Sequence, residues 1–363
     1  MTPPDYPLLG PVFVEVIVPF RNEATNLPRL LKSLRQLDYP TGQYRVTLVD
    51  DHSEDAGPDW LADHGIDPQP SAPAHRAPSE FQLYRLADYP EELNARAHKK
   101  SALALAIRRS SADLIVTTDA DCVLHPNTLH KLVSAYRAGN QVLLGSVRTA
   151  RARSYSEGFQ ALDIAAFQWL TEVTSEWGRP ALANGACFAF DRGLFNEVGG
   201  YAGVDHLPSG DDVLLLHKFN QLEPRPRTAY VLPIKAGALV TTEPVPGWRA
   251  VWRQRLRWAG KAGNYANPLL SVAQAGMYLL CLAILGGLVA SIFIPQLLLP
   301  MLIVWGVKAI IDGVLLARMT RRLGQGRAMW WYLPVQLIYP AYIVAVGTAA
   351  LLGIKAGWKG RVG

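Results

Sequence analysis

The chain has 363 residues, half of them hydrophobic, and a formal net charge of +6. This length admits about two domains. The three cysteines, Cys122, Cys187 and Cys281, have no C-x-x-C spacing, so they read as reduced thiols and not as a disulfide frame or a cysteine zinc site. The excess charge lacks a basic stripe interleaved with aromatics, which argues against nucleic acid and leaves an anionic membrane surface as its simplest partner.

Residues 1–11 are Pro-rich, with no basic start and no apolar run, so no signal peptide is expected and the soluble part should stay in the cytoplasm. Residues 12–18 are a β-branched run that reads as a buried strand ended by Pro19. Pro28 suits a first helical position, with Leu30, Leu31, Leu34 and Leu37 behind it at helical spacing. Residues 44–49 read as a second strand that stops at Asp50 and Asp51. Residues 67–78, rich in Pro and Ala, read as a loop. Residues 81–86 are a third candidate strand, 99–108 a helix with Leu103 and Ile107 on one face, and 114–118 a fourth strand that stops at Asp119. Strands alternating with helices predict an α/β fold with a mostly parallel sheet and helices on both faces. In such sheets ligands bind at the carboxyl ends of strands, where both acidic motifs fall. No G-x-G-x-x-G follows the first strand and no G-x-x-x-x-G-K occurs, which counts against a dinucleotide dehydrogenase and a P-loop enzyme.

The C-terminal third changes character. Residues 262–307 contain no Asp, Glu, Lys or Arg, and neither do residues 330–354. A membrane helix needs about 20 mainly apolar residues. The first stretch holds two spans broken near Pro295, and the second holds a third. Lys308 and Asp312, four apart in the second span, share a helix face and can pair. Arg318, Arg321, Arg322 and Arg327 place the following loop in the cytoplasm, so three spans put the C-terminus outside. Lys355, Lys359 and Arg361 in the tail pull the other way. Trp330, Trp331 and Tyr332 fit an aromatic belt. The expected organisation is a cytoplasmic domain over 1–246, an amphipathic interfacial segment over 247–268, three spans over 269–354 and a basic tail over 355–363.

Five short motifs carry the chemistry. Asp119-Ala-Asp121 offers two carboxylates that point the same way if the backbone is extended, a donor set for magnesium or manganese; a solvated turn is the plainer reading. In Val49-Asp-Asp-His-Ser53 a carboxylate can accept from a base N–H or a ribose hydroxyl, or simply cap a turn. Asn184-Gly185-Ala186 permits close backbone approach to a ligand, or is an ordinary tight turn. Gly210-Asp211-Asp212 sets a carboxylate on a small-residue turn, where it can serve as a general base or as a helix cap. His206 and His217 beside it read as structural rather than metal-binding. Gln254-Arg-Leu-Arg-Trp258 combines a fork-shaped cation for a diphosphate with an aromatic for a sugar or lipid; Trp248, Arg249, Trp252, Arg253 and Arg255 make an interfacial helix the alternative.

Together, over residues 14–260, these motifs resemble family 2 glycosyltransferases with a GT-A fold and C-terminal membrane helices. P-F-R-N-E at residues 19–23 is similar to that family's first-strand exit. The resemblance implies that Asp50, with Asp51 beside it, contacts the donor's base, and that Glu23, Lys99, Asp119 and Gln254 also bind the donor. It implies that Asp121, with Asp119, holds Mg2+ or Mn2+, and that Asp212 is the catalytic base. It further implies that Arg257 stabilises the leaving diphosphate and that Trp258, Asn184 and Gly185 face the acceptor. The implied reaction is an inverting, metal-dependent transfer from a nucleoside diphosphate sugar, a UDP-sugar first, to a lipid or saccharide acceptor, by a protein of the inner (plasma) membrane and cell envelope. The Q-x-x-R-W motif is similar to those of cellulose, hyaluronan and poly-N-acetylglucosamine synthases and of ceramide glucosyltransferases. Polymer synthases usually carry spans before the catalytic domain and none is expected here, so single transfer is favoured and processive synthesis is the alternative. A non-catalytic nucleotide-sugar receptor would need neither Asp212 nor Trp258.

Overall fold

The computed structural model describes residues 10–68, 81–94, 96–232, 237–260, 265 and 267–354. The loop expected over 67–78 falls mostly outside these, as does the basic tail from 355. Two compact units are present, Met1–Val147 with Thr171–Glu243, and Arg148–Leu170 with Pro244–Gly363.

The first unit opens with β1 (Val14–Phe20), α1 (Leu27–Leu34), β2 (Tyr44–Asp50), α2 (Gly57–Asp63), β3 (Phe81–Arg85), α3 (His98–Arg109) and β4 (Leu114–Thr117). It continues with β5 (Cys122–Leu124), α4 (Thr128–Arg137), β6 (Val142–Gly145) and β7 (Val147–Thr149), the last running into the second unit. α5 (Tyr155–Glu176) starts in the second unit and ends in the first. β8 (Phe188–Asp191), α6 (Arg192–Glu197), α7 (Val213–Phe219), β9 (Thr228–Val231) and β10 (Val240–Thr242) complete the first unit.

Seven strands form one sheet in the order β3-β2-β1-β4-β8-β6-β9. Its pairs are parallel except where β8 runs against β4 and β6. β10 pairs antiparallel with β5 in a small second sheet. The β1 sequence shows why the large sheet is covered on both faces. Val14, Val16, Val18 and Phe20 pack with Leu27, Leu30, Leu31 and Leu34 of α1 and with Leu129 and Leu132 of α4. Ile17 points the other way, among Leu103, Leu105 and Ile107 of α3 and Leu215, Leu216 and Phe219 of α7. Alternate residues of one strand thus feed two cores.

The sequence-based strand end at Pro19 is corrected: β1 continues through Pro19 to Phe20. Pairing with β4 stops at Ile17, whereas pairing with β2 continues to Phe20. Pro19 therefore lies where β1 has become an edge on one side, and its missing N–H costs no ladder bond. α1 likewise begins one residue earlier than expected, with Pro28 at its second position.

The second unit contains α8 (Gly247–Ala259), α9 (Pro268–Ala290), α10 (Leu298–Arg322) and α11 (Tyr332–Leu351). Three stretches, Pro268–Ala290, Pro295–Arg322 and Gly326–Leu351, are long and apolar enough to cross a membrane. Their large apolar side chains are widely exposed, as at Val272, Leu299, Ile310 and Leu337, which water would penalise and lipid does not. Lys308 and Asp312 do pair, and Gln336 Nε2 donates to the same carboxylate at 3.1 Å.

Candidate active site

Parallel pairing sets the exits of β1 and β2 side by side, with Phe20 opposite Asp50. The two loops that follow are laced together. The Asn22 backbone N–H donates to Ser53 Oγ (3.0 Å), Asn22 Oδ1 accepts from the Glu54 N–H (2.7 Å), and the Ala24 N–H donates to Asp55 Oδ2 (2.8 Å). Glu23 Oε2 accepts from Asn26 Nδ2 at 2.6 Å. Asp50 is buried and accepts the Ser53 N–H at 3.0 Å. Burial pushes its carboxyl upward, the Ser53 hydrogen bonds oppose this, and Asp51 adds to it. Asp51, 2% exposed, takes both the His52 and the His98 Nδ1 on its Oδ1, at 3.1 and 3.0 Å.

Lys99 joins three of the motifs. Its Nζ donates to Asp119 Oδ1 at 2.8 Å and lies 2.9 Å from Asp211 Oδ2. Burial works against the ammonium, but Asp119 and Asp211 outweigh it and hold Lys99 well above the ordinary lysine range. Gly185 sits against this ion cluster: a Cβ there would stand 3.2 Å from Asp211 Oδ2, 3.4 Å from Lys99 Nζ and 3.7 Å from Asp212 Oδ2. Its carbonyl accepts from Thr117 Oγ1 at 3.1 Å, which ties the N-G-A turn to the end of β4. Asn184 Oδ1 accepts the Ala186 N–H at 3.0 Å and holds the turn.

Gly210, with φ +83°, reverses the chain in a conformation natural to glycine, just before the two aspartates. Asp212 caps α7, its Oδ1 accepting the Val213 N–H (2.7 Å) and its Oδ2 the Gly185 N–H (3.0 Å). The carboxylate is thus aimed by two backbone amides, with lone pairs left over for an incoming proton. Cap and base are compatible roles for this residue.

Asp119-Ala-Asp121 is a turn between β4 and β5 rather than an extended segment, closed by the Cys122 N–H donating to the Asp119 carbonyl at 3.1 Å. Asp119 leans to Lys99, while Asp121 Oδ1 lies 3.4 Å from both Cys122 Sγ and Thr242 Oγ1. Burial, then Asp119 and Glu23, push the Asp121 carboxyl up to about 6. A divalent cation would relieve this crowding of negative charge, so the donor set suits magnesium or manganese.

The fold therefore gathers Lys99, Asp119, Gly185, Asp211 and Asp212 into one contact cluster, with Asp121 and Glu23 electrostatically coupled at its edge. Asp50 and Asp51 lie at the adjoining strand exits. Gln254, Arg257 and Trp258 belong to the second unit, on α8. There Trp258 lies under the Arg255 guanidinium (4.1 Å to the ring centroid) and edge-on to Phe167 (5.7 Å). Arg255, grouped by its sequence with an interfacial helix face, is instead buried and pairs with Asp163 at 2.6 Å. His217 is buried, its Nε2 donating to the Ala181 carbonyl at 3.0 Å, a structural role. The three cysteines are free and buried. Sequence reasoning passed over Asp211 as a partner of Lys99, although it stands in the G-D-D motif. It passed over His98 too, which reaches Asp51 across 47 positions and carries no local signal.

The model of the glycosyl transferase family group 2 matches residues 114–345, and that of glycosyl transferase family 2 matches residues 15–72. The chain belongs to the family 2 glycosyltransferases. Within this family it is 24% identical over 265 residues to a probable glycosyltransferase, YdaM, of Bacillus subtilis, a match that covers 72% of this chain and 57% of the relative. It is also 24% identical over 260 residues to a beta-monoglucosyldiacylglycerol synthase of Nostoc, covering 71% of this chain and 50% of that one. The chain thus spans about half the length of these curated relatives. Among solved structures it is similar to the mannosyltransferase PcManGT of Pyrobaculum calidifontis, solved with GDP-Man and Mn2+, at 20% identity and a TM-score of 0.50. That match covers 96% of this chain and 89% of the other, and it shows a shared GT-A fold.

Proposed function

We propose that this family 2 glycosyltransferase moves a sugar, with inversion, from a nucleoside diphosphate sugar, a UDP-sugar first, to a lipid-associated acceptor. The observation that carries the reading is Lys99 bridging Asp119 and Asp211 beside Gly185 and Asp212, which joins the donor-side and acceptor-side motifs. In this reading residues 1–246 are the cytoplasmic catalytic part, 247–268 lie at the interface and 269–354 cross the inner membrane. Among relatives, the beta-monoglucosyldiacylglycerol synthase of Nostoc, named for a sugar-bearing lipid product, supports a lipid acceptor.

Asp50 and Asp51 bind the nucleotide, with Glu23 at the neighbouring exit. Asp121, with Asp119, would hold magnesium or manganese, whose charge offsets that of the donor diphosphate. Lys99 keeps Asp119 oriented and adds a fixed positive charge. Asp212 takes the proton of the acceptor hydroxyl as its oxygen bonds to the anomeric carbon and the bond to the diphosphate breaks. Attack from the face opposite the leaving group turns an α-linked donor into a β-linked product. The family resemblance gives Arg257 and Gln254 the diphosphate, and Trp258, Asn184 and Gly185 the acceptor.

The test is to incubate purified protein and native lipid extract with a panel of radiolabelled nucleotide sugars, and to separate products by polarity and size. Organic-extractable products carrying one added sugar are expected. A ladder of long chains would replace single transfer by processive synthesis, and no product from any donor would overturn the assignment.

A further inference from the structure

We propose that Asp51, His52 and His98 form a binding site for a divalent transition-metal ion, chemically distinct from the Asp119–Asp121 carboxylates. The three residues come from two elements. Asp51 and His52 follow β2, and His98 is the first residue of α3. One ligand atom from each lies within 4.8 Å of the other two. Both imidazoles present Nδ1 to the same carboxylate oxygen, at 3.1 and 3.0 Å. Around an ion with bonds of about 2.0–2.2 Å, ligand atoms at angles between square and tetrahedral stand about 2.8–3.6 Å apart. The two rings are nearly perpendicular, with centroids 5.6 Å apart, so both Nδ1 atoms reach the one carboxylate oxygen without ring collision. Ligation uses the Nδ1 lone pair and leaves the ring proton on Nε2, so neutral histidines bind without losing a proton.

The site is held in shape. His52 has φ +58°, a left-handed conformation that a non-glycine side chain enters at a cost. The Asp51 side chain is 3% exposed and those of His98 and His52 are 17% and 33% exposed, so a buried carboxyl group is flanked by two partly exposed imidazoles. Two nitrogens and one oxygen suit zinc, cobalt or nickel, whereas magnesium and manganese suit the all-oxygen pair at Asp119 and Asp121. A site with three protein ligands leaves a position open. Because Asp51 also belongs to the proposed donor site, an ion there withdraws its carboxylate from the nucleotide. That consequence rests on the proposed function; the ion binding does not.

The experiment uses the full-length protein in detergent, stripped of metal and titrated with Zn2+ in a calorimeter, with Co2+ absorption as a second readout on the wild type. One ion per chain is expected, along with a Co2+ spectrum of mixed nitrogen and oxygen coordination, and a large excess of Mg2+ should not displace it. Outer-shell partners alone are worth about 10–100-fold in metal affinity, so loss of a direct ligand should cost at least that much. His52→Asn, which tolerates the left-handed backbone, and His98→Gln should each show this loss, while Asp121→Asn keeps Zn2+ bound. Absence of binding, binding unchanged by both histidine substitutions, or loss with Asp121→Asn would overturn the site. The first of these would leave the same distances as hydrogen bonds alone. If Zn2+ binds as expected but does not weaken UDP binding, the ion site stands and the placement of the nucleotide fails.

Discussion

Asp212 shows how much a single carboxylate can owe to its backbone. Its two oxygens accept the N–H groups of Val213 and Gly185, at 2.7 and 3.0 Å, so its direction is set before any substrate arrives. Asp212→Asn keeps the shape but cannot accept a proton, and it faces one backbone donor with its own NH2. Transfer should fall by roughly 10²–10⁴-fold, while calorimetry with UDP shows donor affinity nearly unchanged. Wild-type turnover in this variant would remove Asp212 from the chemistry. Asp121 gives a pH prediction. Burial, Asp119 and Glu23 lift its folded carboxyl to about 6, against an ordinary value of 3.8. A raised carboxyl favours the folded state below the unfolded value, and that advantage disappears as pH rises through the folded value. In chelator, the melting temperature of the wild type should therefore fall between pH 4 and pH 7 relative to that of Asp121→Asn. Parallel curves for the two proteins would refute the crowding of charge at this residue.

At the scale of elements, one buried cation ties α8 to α5 within its unit. Arg255 is buried, pairs with Asp163 on α5 and covers the Trp258 ring. Burial pushes the Asp163 carboxyl up and Arg255 pulls it back. Removing one member of such a pair strands the other charge, at a cost of about 3–5 kcal/mol. Arg255→Ala and Asp163→Ala should each lower the thermal midpoint in detergent sharply, and the double variant should lose less than the sum of the two. Additive losses would mean that the pair contributes no coupling. The pair was not legible in the sequence. Arg255 sits among Arg249 and Arg253, which are exposed, and Arg257, which is half-buried, and only packing against α5 separates it from them. The strands were easier to read. β2, β3 and β4 lie within one residue of the expected bounds, and for β2 and β4 the reason is that β-branched runs ended by acidic turns are local signals. β5 and β10, three residues each, are too short to show a period and form only by pairing with segments distant in the chain.

For the whole molecule, the arrangement of three apolar helices makes a prediction about sidedness. In a background without Cys122, Cys187 and Cys281, single cysteines at Phe293, Arg327 and Leu352 sample the ends of the apolar segments. All three positions are exposed and avoid the left-handed glycines at 324 and 353. With three crossings, Phe293 and Leu352 should label from one side and Arg327 from the other, and the arginine-rich loop should be the cytoplasmic one. Labelling of all three from one side would mean that the helices lie on the membrane rather than cross it.

Local chemistry determined a good part of this protein. Long apolar runs, two of them without charge, determined the three long helices, and alternating strands and helices determined an α/β fold. The acidic and aromatic motifs fixed the family, because each depends on residues adjacent in the chain. Only tertiary structure decided which of these motifs meet. Lys99 reaches Asp119 and Asp211 because α3, the end of β4 and the turn before α7 converge, and nothing near Lys99 in sequence marks either partner. The same holds for Asp51 and His98. Contacts between distant segments depend on strand order, and strand order is set by how two cores close over the faces of one sheet.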